Sequence, residues 1–399
     1  MGGEPVNPTT IDGATTEPLR WAWAEIDLGA IEHNVRLIRR WIAPADLWAV
    51  VKADAYGHGA VGVAQRTLAA GAAGLCVALA AEGAELRAAG IDAPILVFGQ
   101  QPPEHLALMR AHGLIATAFT ADHIAALDEV AASDGGKPWP VHVNVDTGMQ
   151  RVGVSWRDPV ASIRAVAAAP HLDFAGVYTH FACADDPTSP ATAAQLARFD
   201  AVLSDLDRLS LRPRLVHAAN SAAAVSAPTS RLSLVRAGIA LYGISPGAGV
   251  DHLVGGLRPA MCLKARVSHV KTVEAGSFIS YGWVHQFSQR TNVITVPCGY
   301  ADGVPRRLGT LPGGPGAPNG PGAMVLVGGQ RRPIVGVVTM DQFMVDVGDD
   351  DVAVGDEVVL IGTQGDERIP ASEWADRLGT IGYEIVCGIS RRVPRVTVG

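Results

Sequence analysis

The chain has 399 residues, of which 48% are hydrophobic and 18% are charged, and its formal net charge is −7 at pH 7. This length predicts about two domains, and the negative charge disfavours nucleic acid as a partner because a phosphate backbone binds a basic surface. No apolar run approaches the roughly 20 residues that span a bilayer, and five separated cysteines predict neither a disulfide framework nor a zinc site, so we expect a reduced cytoplasmic protein.

The first 20 residues lack the basic and apolar regions of a signal peptide and are predicted to be a disordered tail. Between residues 47 and 243, alanine-rich helical stretches alternate with eight near-continuously apolar runs, which is typical of strands covered on both faces. These runs are LWAVVKA (47–53), GLCVA (74–78), ILVFG (95–99), IATAFT (115–120), VHVNVD (141–146), FAGVYTH (174–180), LVHAANS (215–221) and LVRAGIALYG (234–243).

Strand–helix alternation predicts parallel strands, and eight such units close most economically into a barrel. We therefore predict an α/β fold in which residues 21–250 form a TIM-like (β/α)₈ barrel. An open doubly wound sheet is the alternative, although its GxGxxG fingerprint is missing after the first strand.

The pattern changes after about residue 250, where short β runs are separated by turn residues. The runs are ARVSHVKTV, NVITVPCG, AMVLVGG, RRPIVGVV, FMVDVG and DEVVLIG. They predict a mainly antiparallel β domain over residues 251–399, interrupted by a proline- and glycine-rich loop at 311–323.

In such a barrel the active site lies at the C-terminal ends of the strands. Chemically capable residues at these ends are Lys52, Tyr56, Asp146, Arg151, His180, Asn220, Ser221, Arg236, Gly238 and Tyr242. An amine, arginines, a histidine and phosphate-sized donors on one rim indicate a small anionic cofactor with a carbonyl for the lysine to capture. No metal site is expected.

The segment AVVKADAYGHG (49–59) resembles the pyridoxal-phosphate lysine motif of alanine racemases. The chain from Trp21 to Val398 follows the order of that family. The other matching segments are VDTGMQRVG, THFACAD, HAANSAA, LVRAGIALYGISP, ISYGW, GYADGVPR, MDQFMVD and TIGYEIVCGISRRVPR.

The resemblance implies a head-to-tail homodimer that interconverts L- and D-alanine and supplies D-alanine for peptidoglycan. Lys52 would hold pyridoxal 5′-phosphate as a Schiff base. After the substrate has formed its own aldimine with the cofactor, Lys52 would act as the base for D-alanine. Tyr281 from the other subunit would act on the opposite face for L-alanine. Both groups must then have a lowered pKa to act near neutral pH.

The resemblance also implies the remaining roles. Arg236 would face the pyridine nitrogen, with His180 orienting it. The cofactor and its phosphate would be held by Tyr56, Asn220, Ser221, Tyr383 and the backbone N–H groups of Gly238 and Ile239. Arg151 would contact the cofactor's phenolic oxygen and the substrate carboxylate, with Met340 and the neighbouring Asp341 from the second subunit. Tyr300, Arg306 and Asp185 would line the substrate channel.

The chain departs from the family pattern at several positions. Many members carry a carbamylated lysine that braces the equivalent of Arg151, where this chain has Asn144, and an asparagine with a bound anion such as chloride could substitute for it. Val337 and Thr339 replace the more usual arginine and cysteine, and Gln150 replaces a small residue.

Three alternatives differ in function. Basic amino-acid decarboxylases would need an acidic partner for the ring nitrogen, where this chain has Arg236. A non-catalytic pyridoxal-phosphate carrier would lack the β domain and leave Tyr281 unexplained. A broad-specificity racemase stays open, because the sequence does not give the size of the substrate pocket.

Overall fold

The structure is a computed structural model that describes residues 20–312 and 320–399. Nearly all of the tail predicted over residues 1–20 and the centre of the loop predicted at 311–323 lie outside the described residues. Within the described ranges, no helix combines the length and apolarity needed to cross a membrane.

The first part of the chain contains the barrel strands. In chain order the strands are β1 (Ala22–Asp27), β2 (Asp46–Val50), β3 (Gly74–Val77), β4 (Ile95–Val97), β5 (Ala116–Ala118), β6 (Trp139–Asp146), β7 (Val154–Ser155), β8 (Leu172–Tyr178), β9 (Leu215–His217) and β10 (Leu234–Ala237). Eight of them pair in parallel in the order β4-β3-β2-β10-β9-β8-β6-β5, and a parallel bridge between Leu96 and Ile115 joins the two ends. The predicted (β/α)₈ barrel is confirmed.

Helices surround these strands and connect them. They are α1 (Leu28–Ile42), α2 (Lys52–Gly57), α3 (Ala60–Ala69), α4 (Ala80–Ala88), α5 (Pro103–Ala111), α6 (Ala121–Ser133), α7 (Val160–Ala168), α8 (Ala191–Arg208) and α9 (Ala223–Ser226). The barrel strands are almost entirely buried, as their apolar runs predict.

The second part of the chain forms a mainly antiparallel sheet, as predicted. Its strands are β11 (Met261–Arg266), β12 (His269–Val273), β13 (Phe278–Ile279), β14 (His285–Gln286), β15 (Thr291–Val296), β16 (Met324–Val327), β17 (Gln330–Val335), β18 (Phe343–Gly348), β19 (Glu357–Gln364), β20 (Glu367–Ile369) and β21 (Arg395–Val398). Helices α10 (Ala371–Leu378) and α11 (Gly382–Gly388) precede β21. The strand order is β12-β15-β18-β17-β16-β19-β11-β1-β21, with β20 beside β19 and β13–β14 as a separate hairpin.

Strand β1 falls in the range 21–250 that the sequence predicts as barrel, yet it lies in the second sheet. It pairs antiparallel with β11 and parallel with β21. The reason is that β2, the next strand along the chain, already lies between β3 and β10 and has no free edge. Both termini of the described chain are thereby joined to the β domain.

Candidate active site

Lys52 lies at the C-terminal rim of the barrel, two residues after β2 ends. The residues that follow it, Ala53–Tyr56, adopt the left-handed helical conformation with φ between 51° and 55°. None of these four residues is glycine, and the left-handed conformation costs about 1–2 kcal/mol for each such residue. This turn places Lys52 and Tyr56 on the same rim.

The Lys52 amine is half-buried, and its pKa is lowered from the ordinary lysine value. Burial is the main cause, because it disfavours the charged form, and the nearby Arg151 cation is the second. The Glu82 carboxylate opposes both effects. The direction of the shift is the one that a lysine base requires.

Four of the predicted phosphate ligands converge at the end of β10. A Cβ atom on Gly238 would lie 2.5 Å from the Tyr56 hydroxyl oxygen, so only glycine allows this close approach. The Gly238 N–H donates to the Ser221 hydroxyl oxygen at 2.8 Å, and the Tyr56 and Tyr383 ring centres are 6.0 Å apart. Burial raises the pKa of both tyrosines, which keeps their hydroxyls as neutral donors.

The other two predicted ligands of this group lie on either side of it. Ile239 directly follows Gly238 and begins a short 3₁₀ helix, Ile239–Tyr242. The Asn220 side-chain oxygen accepts the N–H of Ala223, the first residue of α9, at 2.9 Å. Its oxygen therefore has a structural role in addition to any contact that its amide group makes.

Arg236 is a buried cation at the centre of the rim, with 3% of its surface exposed. Its Nη2 donates to the backbone carbonyls of Thr179 at 2.8 Å and Ala218 at 3.0 Å. Its Nη1 is 2.6 Å from Nδ1 of His217, whereas its Nη2 is 3.4 Å from Nδ1 of His180. The shorter of the two histidine contacts is therefore with His217.

The role of His217 as a partner of Arg236 was not predicted from the sequence. The Nε2 of His217 is in turn 3.0 Å from Nδ1 of His142, inside the barrel. Burial lowers the pKa of both imidazoles, that of His142 to about 3, so both are neutral near pH 7. The available signal was a histidine within each of two predicted strands, which the barrel places two positions apart.

Arg151 is exposed and lies beside a small cavity that Asn144 and His180 also line. The Asn144 amide is 3.4 Å from the Val152 carbonyl oxygen, a long contact. Asp146 accepts the N–H groups of Gly148 and Gln150 and so shapes the loop that carries Arg151. Burial, then the nearby arginine cations, lower the pKa of His180 to about 3.

Tyr281 stands out from the β domain, with 73% of its surface exposed. It begins a 3₁₀ turn after β13, and the Ser280 hydroxyl anchors this turn by donating to the Val337 carbonyl at 3.0 Å. In the part of the chain that the structure describes, no side-chain hydrogen bond or ring contact joins Tyr281 to the barrel. This exposure is unusual for a residue with a proposed chemical role.

Met340, Tyr300 and Asp341 are exposed on the same domain. The N–H groups of Tyr300 and Ala301 donate to the carbonyls of Thr339 and Met340, so two backbone hydrogen bonds join the two loops. Asp302 is fully buried between Arg20, at 2.6 Å, and Arg392, which also contacts Asp341 at 2.7 Å. This charged network was not predicted from the sequence.

The remaining positions singled out by the sequence lie around this region. Val337 is buried, and the Thr339 hydroxyl donates to the Gln342 carbonyl. Asp185 packs against Gly247 and Gly249, and Arg306 begins a 3₁₀ turn, Arg306–Leu308.

The rim suits pyridoxal phosphate. Among the described residues, no aspartate or glutamate forms a salt bridge with Lys52, Arg151 or Arg236, so the rim is favourable for an anionic ligand. The close approach at Gly238 provides a backbone cradle next to the Tyr56 and Ser221 hydroxyls, which is a suitable phosphate site.

Comparison with known proteins identifies relatives of the whole chain. The profile described as alanine racemase, N-terminal domain, matches residues 26–246, and the corresponding C-terminal domain matches residues 260–397. A curated alanine racemase from Symbiobacterium thermophilum is 46% identical over 94% of this chain and 97% of its own length.

Two solved structures extend the comparison. The alanine racemase from Bacillus anthracis with bound L-Ala-P has a TM-score of 0.88 and 40% identity, with 96% of each chain covered. A histidine racemase from Leuconostoc mesenteroides has a TM-score of 0.86 and 32% identity, covering 97% of this chain and all (100%) of the other.

Proposed function

The chain belongs to the alanine racemase family and is a pyridoxal-phosphate-dependent alanine racemase, and on that premise we propose that Lys52 and Tyr281 are its two acid–base residues. The observation that carries this assignment is the half-buried Lys52 amine, whose pKa is lowered at a cationic barrel rim. We further propose that the active unit is a head-to-tail homodimer in the cytoplasm that supplies D-alanine for peptidoglycan.

Racemisation requires one group that removes the Cα proton and another that delivers a proton to the opposite face. Bound pyridoxal phosphate supplies the electron sink that makes the Cα hydrogen acidic. Lys52 would hold the cofactor through its amine and, once free, take the proton from D-alanine. Tyr281 would take the proton from L-alanine. In each direction of the reaction, the residue that has not removed the Cα proton would deliver one to the opposite face.

Arg236 would face the ring nitrogen of the cofactor. A guanidinium stays charged and only donates hydrogen bonds, so it does not hand a proton to that nitrogen. With Arg236 in place of an acidic partner, electron withdrawal by the bound cofactor would be weaker, and proton return to Cα would be favoured over side reactions such as transamination. The His217 contact at 2.6 Å supports this role because it fixes the guanidinium plane.

The substrate carboxylate would be bound by Arg151 together with the Met340 backbone N–H of a second subunit. Met340 and Asp341 are exposed, and the neighbouring Tyr300 loop holds them in place.

The position of Tyr281 supports the proposed dimer. Its 73% exposure and the absence of a side-chain contact with the barrel, among the described residues, support a second base that serves a neighbouring copy. Trp283, in the same turn, is 69% exposed and presents an apolar surface for the same neighbour.

A subunit-mixing experiment tests the two bases and the shared site together. Lys52→Ala and Tyr281→Phe homodimers should each be inactive. After dissociation and random reassociation, about half of the dimers are hybrids with one intact site, so about a quarter of the wild-type activity should return. If both residues came from the same subunit, mixing would restore nothing. Borohydride reduction and peptide mapping of the wild type should locate the cofactor on Lys52.

A second candidate substrate class has support from one relative. The histidine racemase has the same fold at 32% identity, so the fold admits larger side chains than methyl. Racemisation rates of the purified protein on alanine, serine and histidine would separate the two. We expect alanine to give the highest kcat/KM, and a higher value for histidine would reverse the assignment.

A further inference from the structure

The left-handed turn after Lys52 is held by the neighbouring His58 and by two residues that lie farther away in the chain, Glu82 and Arg395. The Ala53 N–H donates to Glu82 Oε1 at 2.6 Å, and the His58 Nδ1 lies 2.9 Å from the Tyr56 carbonyl oxygen. The third contact comes from the last strand of the β domain, where Arg395 Nε donates to the Gly57 carbonyl at 3.0 Å.

The Arg395 guanidinium donates four hydrogen bonds to main-chain carbonyls. Besides Gly57, it donates to Ser390 at 2.6 Å, Val393 at 2.7 Å and Ile389 at 2.6 Å. Ile389 directly follows α11, so the cation lies where a helix C-terminus favours positive charge. Among the described residues no carboxylate forms an ion pair with Arg395, although the nearby Asp54 carboxylate opposes the burial that lowers the pKa of Arg395.

The same contact brings the turn against α11. A Cβ atom on Gly57 would lie 2.6 Å from the Val386 carbonyl oxygen, and Gly57 itself has φ of 79°. Helix α11 carries Tyr383, whose ring lies 6.0 Å from that of Tyr56. Arg395 therefore joins the turn that carries Lys52 to the helix that carries a proposed phosphate ligand.

We propose that Arg395 is a positioning residue for Lys52, because its hydrogen bond to the Gly57 carbonyl stabilises the left-handed turn that orients the lysine side chain. This inference rests on the proposed role of Lys52. A left-handed turn of four non-glycine residues persists only where its surroundings hold it. Because the planar guanidinium fork makes four bonds in fixed directions, a lysine at this position keeps the charge but loses the geometry.

The test compares Arg395→Lys with a matched control, Arg87→Lys. Arg87 also donates to four main-chain carbonyls, those of His112, Ile91, Ala93 and Gly113, but it lies at the end of α4. Both variants remove one guanidinium fork, so both should lower the Tm to a similar extent. Only Arg395→Lys should disturb Lys52.

Three readouts distinguish positioning from general destabilisation. In the apoprotein, the peptide over residues 52–60 should exchange its amide hydrogens faster in Arg395→Lys, and cofactor uptake should be slower. In the loaded enzyme kcat should fall about 10- to 100-fold, with KM for alanine within about twofold because the carboxylate ligands are untouched. The α-deuterium isotope effect should rise for D-alanine and fall for L-alanine, since only the lysine step is slowed.

The inference is overturned if Arg395→Lys and Arg87→Lys give the same amide exchange and unchanged isotope effects. If Arg395→Lys does not fold, Gly57→Ala disrupts the same contact at Gly57. It should then give the same opposite changes in the isotope effects for D- and L-alanine, which we call the isotope asymmetry. Peptide mapping after borohydride reduction distinguishes failure of the Arg395 proposal from failure of the proposed function. A cofactor found on a lysine other than Lys52 in the wild type would refute the proposed function, whereas failure of the isotope asymmetry alone refutes only the role of Arg395.

Discussion

Arg236 and His217 are joined by a 2.6 Å contact between Nη1 and Nδ1 at the centre of the barrel rim. The guanidinium can only donate, so Nδ1 of His217 must accept and its proton must lie on Nε2. That proton is donated to Nδ1 of His142 at 3.0 Å, which places the His142 proton on its own Nε2. One arginine thus determines the tautomers of two buried imidazoles.

Nitrogen NMR of histidine-labelled protein checks this chain directly. Both rings should be neutral Nε2–H tautomers at pH 7 and should remain so at pH 5, because burial lowers the pKa of His142 to about 3 and that of His217 well below its usual value. The substitution Arg236→Leu should remove the preference of His217 for the Nε2–H tautomer. An Nδ1–H signal from His217 in the wild type would be incompatible with the contact to Arg236.

Buried neutral histidines also make stability depend on pH. The pKa of His142 is lowered to about 3 and that of His58 to about 4, mainly by burial. The unfolded chain binds these protons near pH 6.5, so the stabilisation is present above that pH and is lost as pH falls from about 6.5 toward the folded pKa. Each such group should lower the free energy of unfolding by up to about 1.4 kcal/mol per pH unit in this window.

Urea unfolding of the apoprotein at pH 7.5, 6 and 5 measures this slope. His142→Gln cannot titrate and should show a slope smaller by about one proton. Equal slopes for the variant and the wild type would mean that His142 is protonated in the folded protein.

Gly238→Ala should weaken cofactor binding, because its Cβ would lie 2.5 Å from the Tyr56 hydroxyl oxygen and 3.2 Å from the ring carbon that bears it. We expect the Kd for pyridoxal phosphate to rise about 10- to 100-fold, which corresponds to about 1.4–2.7 kcal/mol. Equilibrium titration by absorbance or fluorescence gives this value.

A double-mutant cycle provides the control. Tyr56→Phe alone should weaken binding through the lost hydroxyl, and combined with Gly238→Ala it should cost less than the sum, since the clashing atom is gone. Additive losses would mean that Gly238→Ala does not weaken binding through a clash with the Tyr56 hydroxyl.

Asn144 and Arg151 line one small cavity with His180, and we expect a bound anion there to take the place of a bracing carbamate. At constant ionic strength, replacing chloride by the larger gluconate should raise KM for alanine, because Arg151 would lose its brace. Asn144→Asp supplies a permanent carboxylate and should remove the chloride dependence. Identical kinetics of the wild type in both salts would contradict the hypothesis that a bound chloride ion braces Arg151.

The fold was largely predictable because its main signals are local. Eight apolar runs separated by helical stretches predicted the barrel, and short β runs with turns predicted the second sheet. The position of β1 was not predictable, since its partners β11 and β21 lie more than 230 residues away along the chain. Pairing over such distances leaves no local pattern.

The site was predictable where a motif carries the chemistry and not where a side chain acts through another. Lys52 and Gly238 stand in quoted motifs, and the rim brings them together with Tyr56. His217 and Arg395 also stand in quoted motifs, but their contacts with Arg236 on β10 and with Gly57 in α2 depend on the fold. The left-handed turn after Lys52 is held by contacts such as that of Arg395 with Gly57, so the alanine and aspartate residues within the turn give no sign of it.

The central claim is that Lys52 and Tyr281 act as bases on opposite faces of the substrate, and exchange of the alanine Cα hydrogen in D₂O tests it most directly. Wild-type protein should racemise and deuterate both enantiomers, and Lys52→Ala should do neither. Tyr281→Phe should stay yellow with bound cofactor and still exchange the Cα hydrogen of D-alanine through Lys52, without forming L-alanine. A Tyr281→Phe protein that racemises at the wild-type rate would contradict the account.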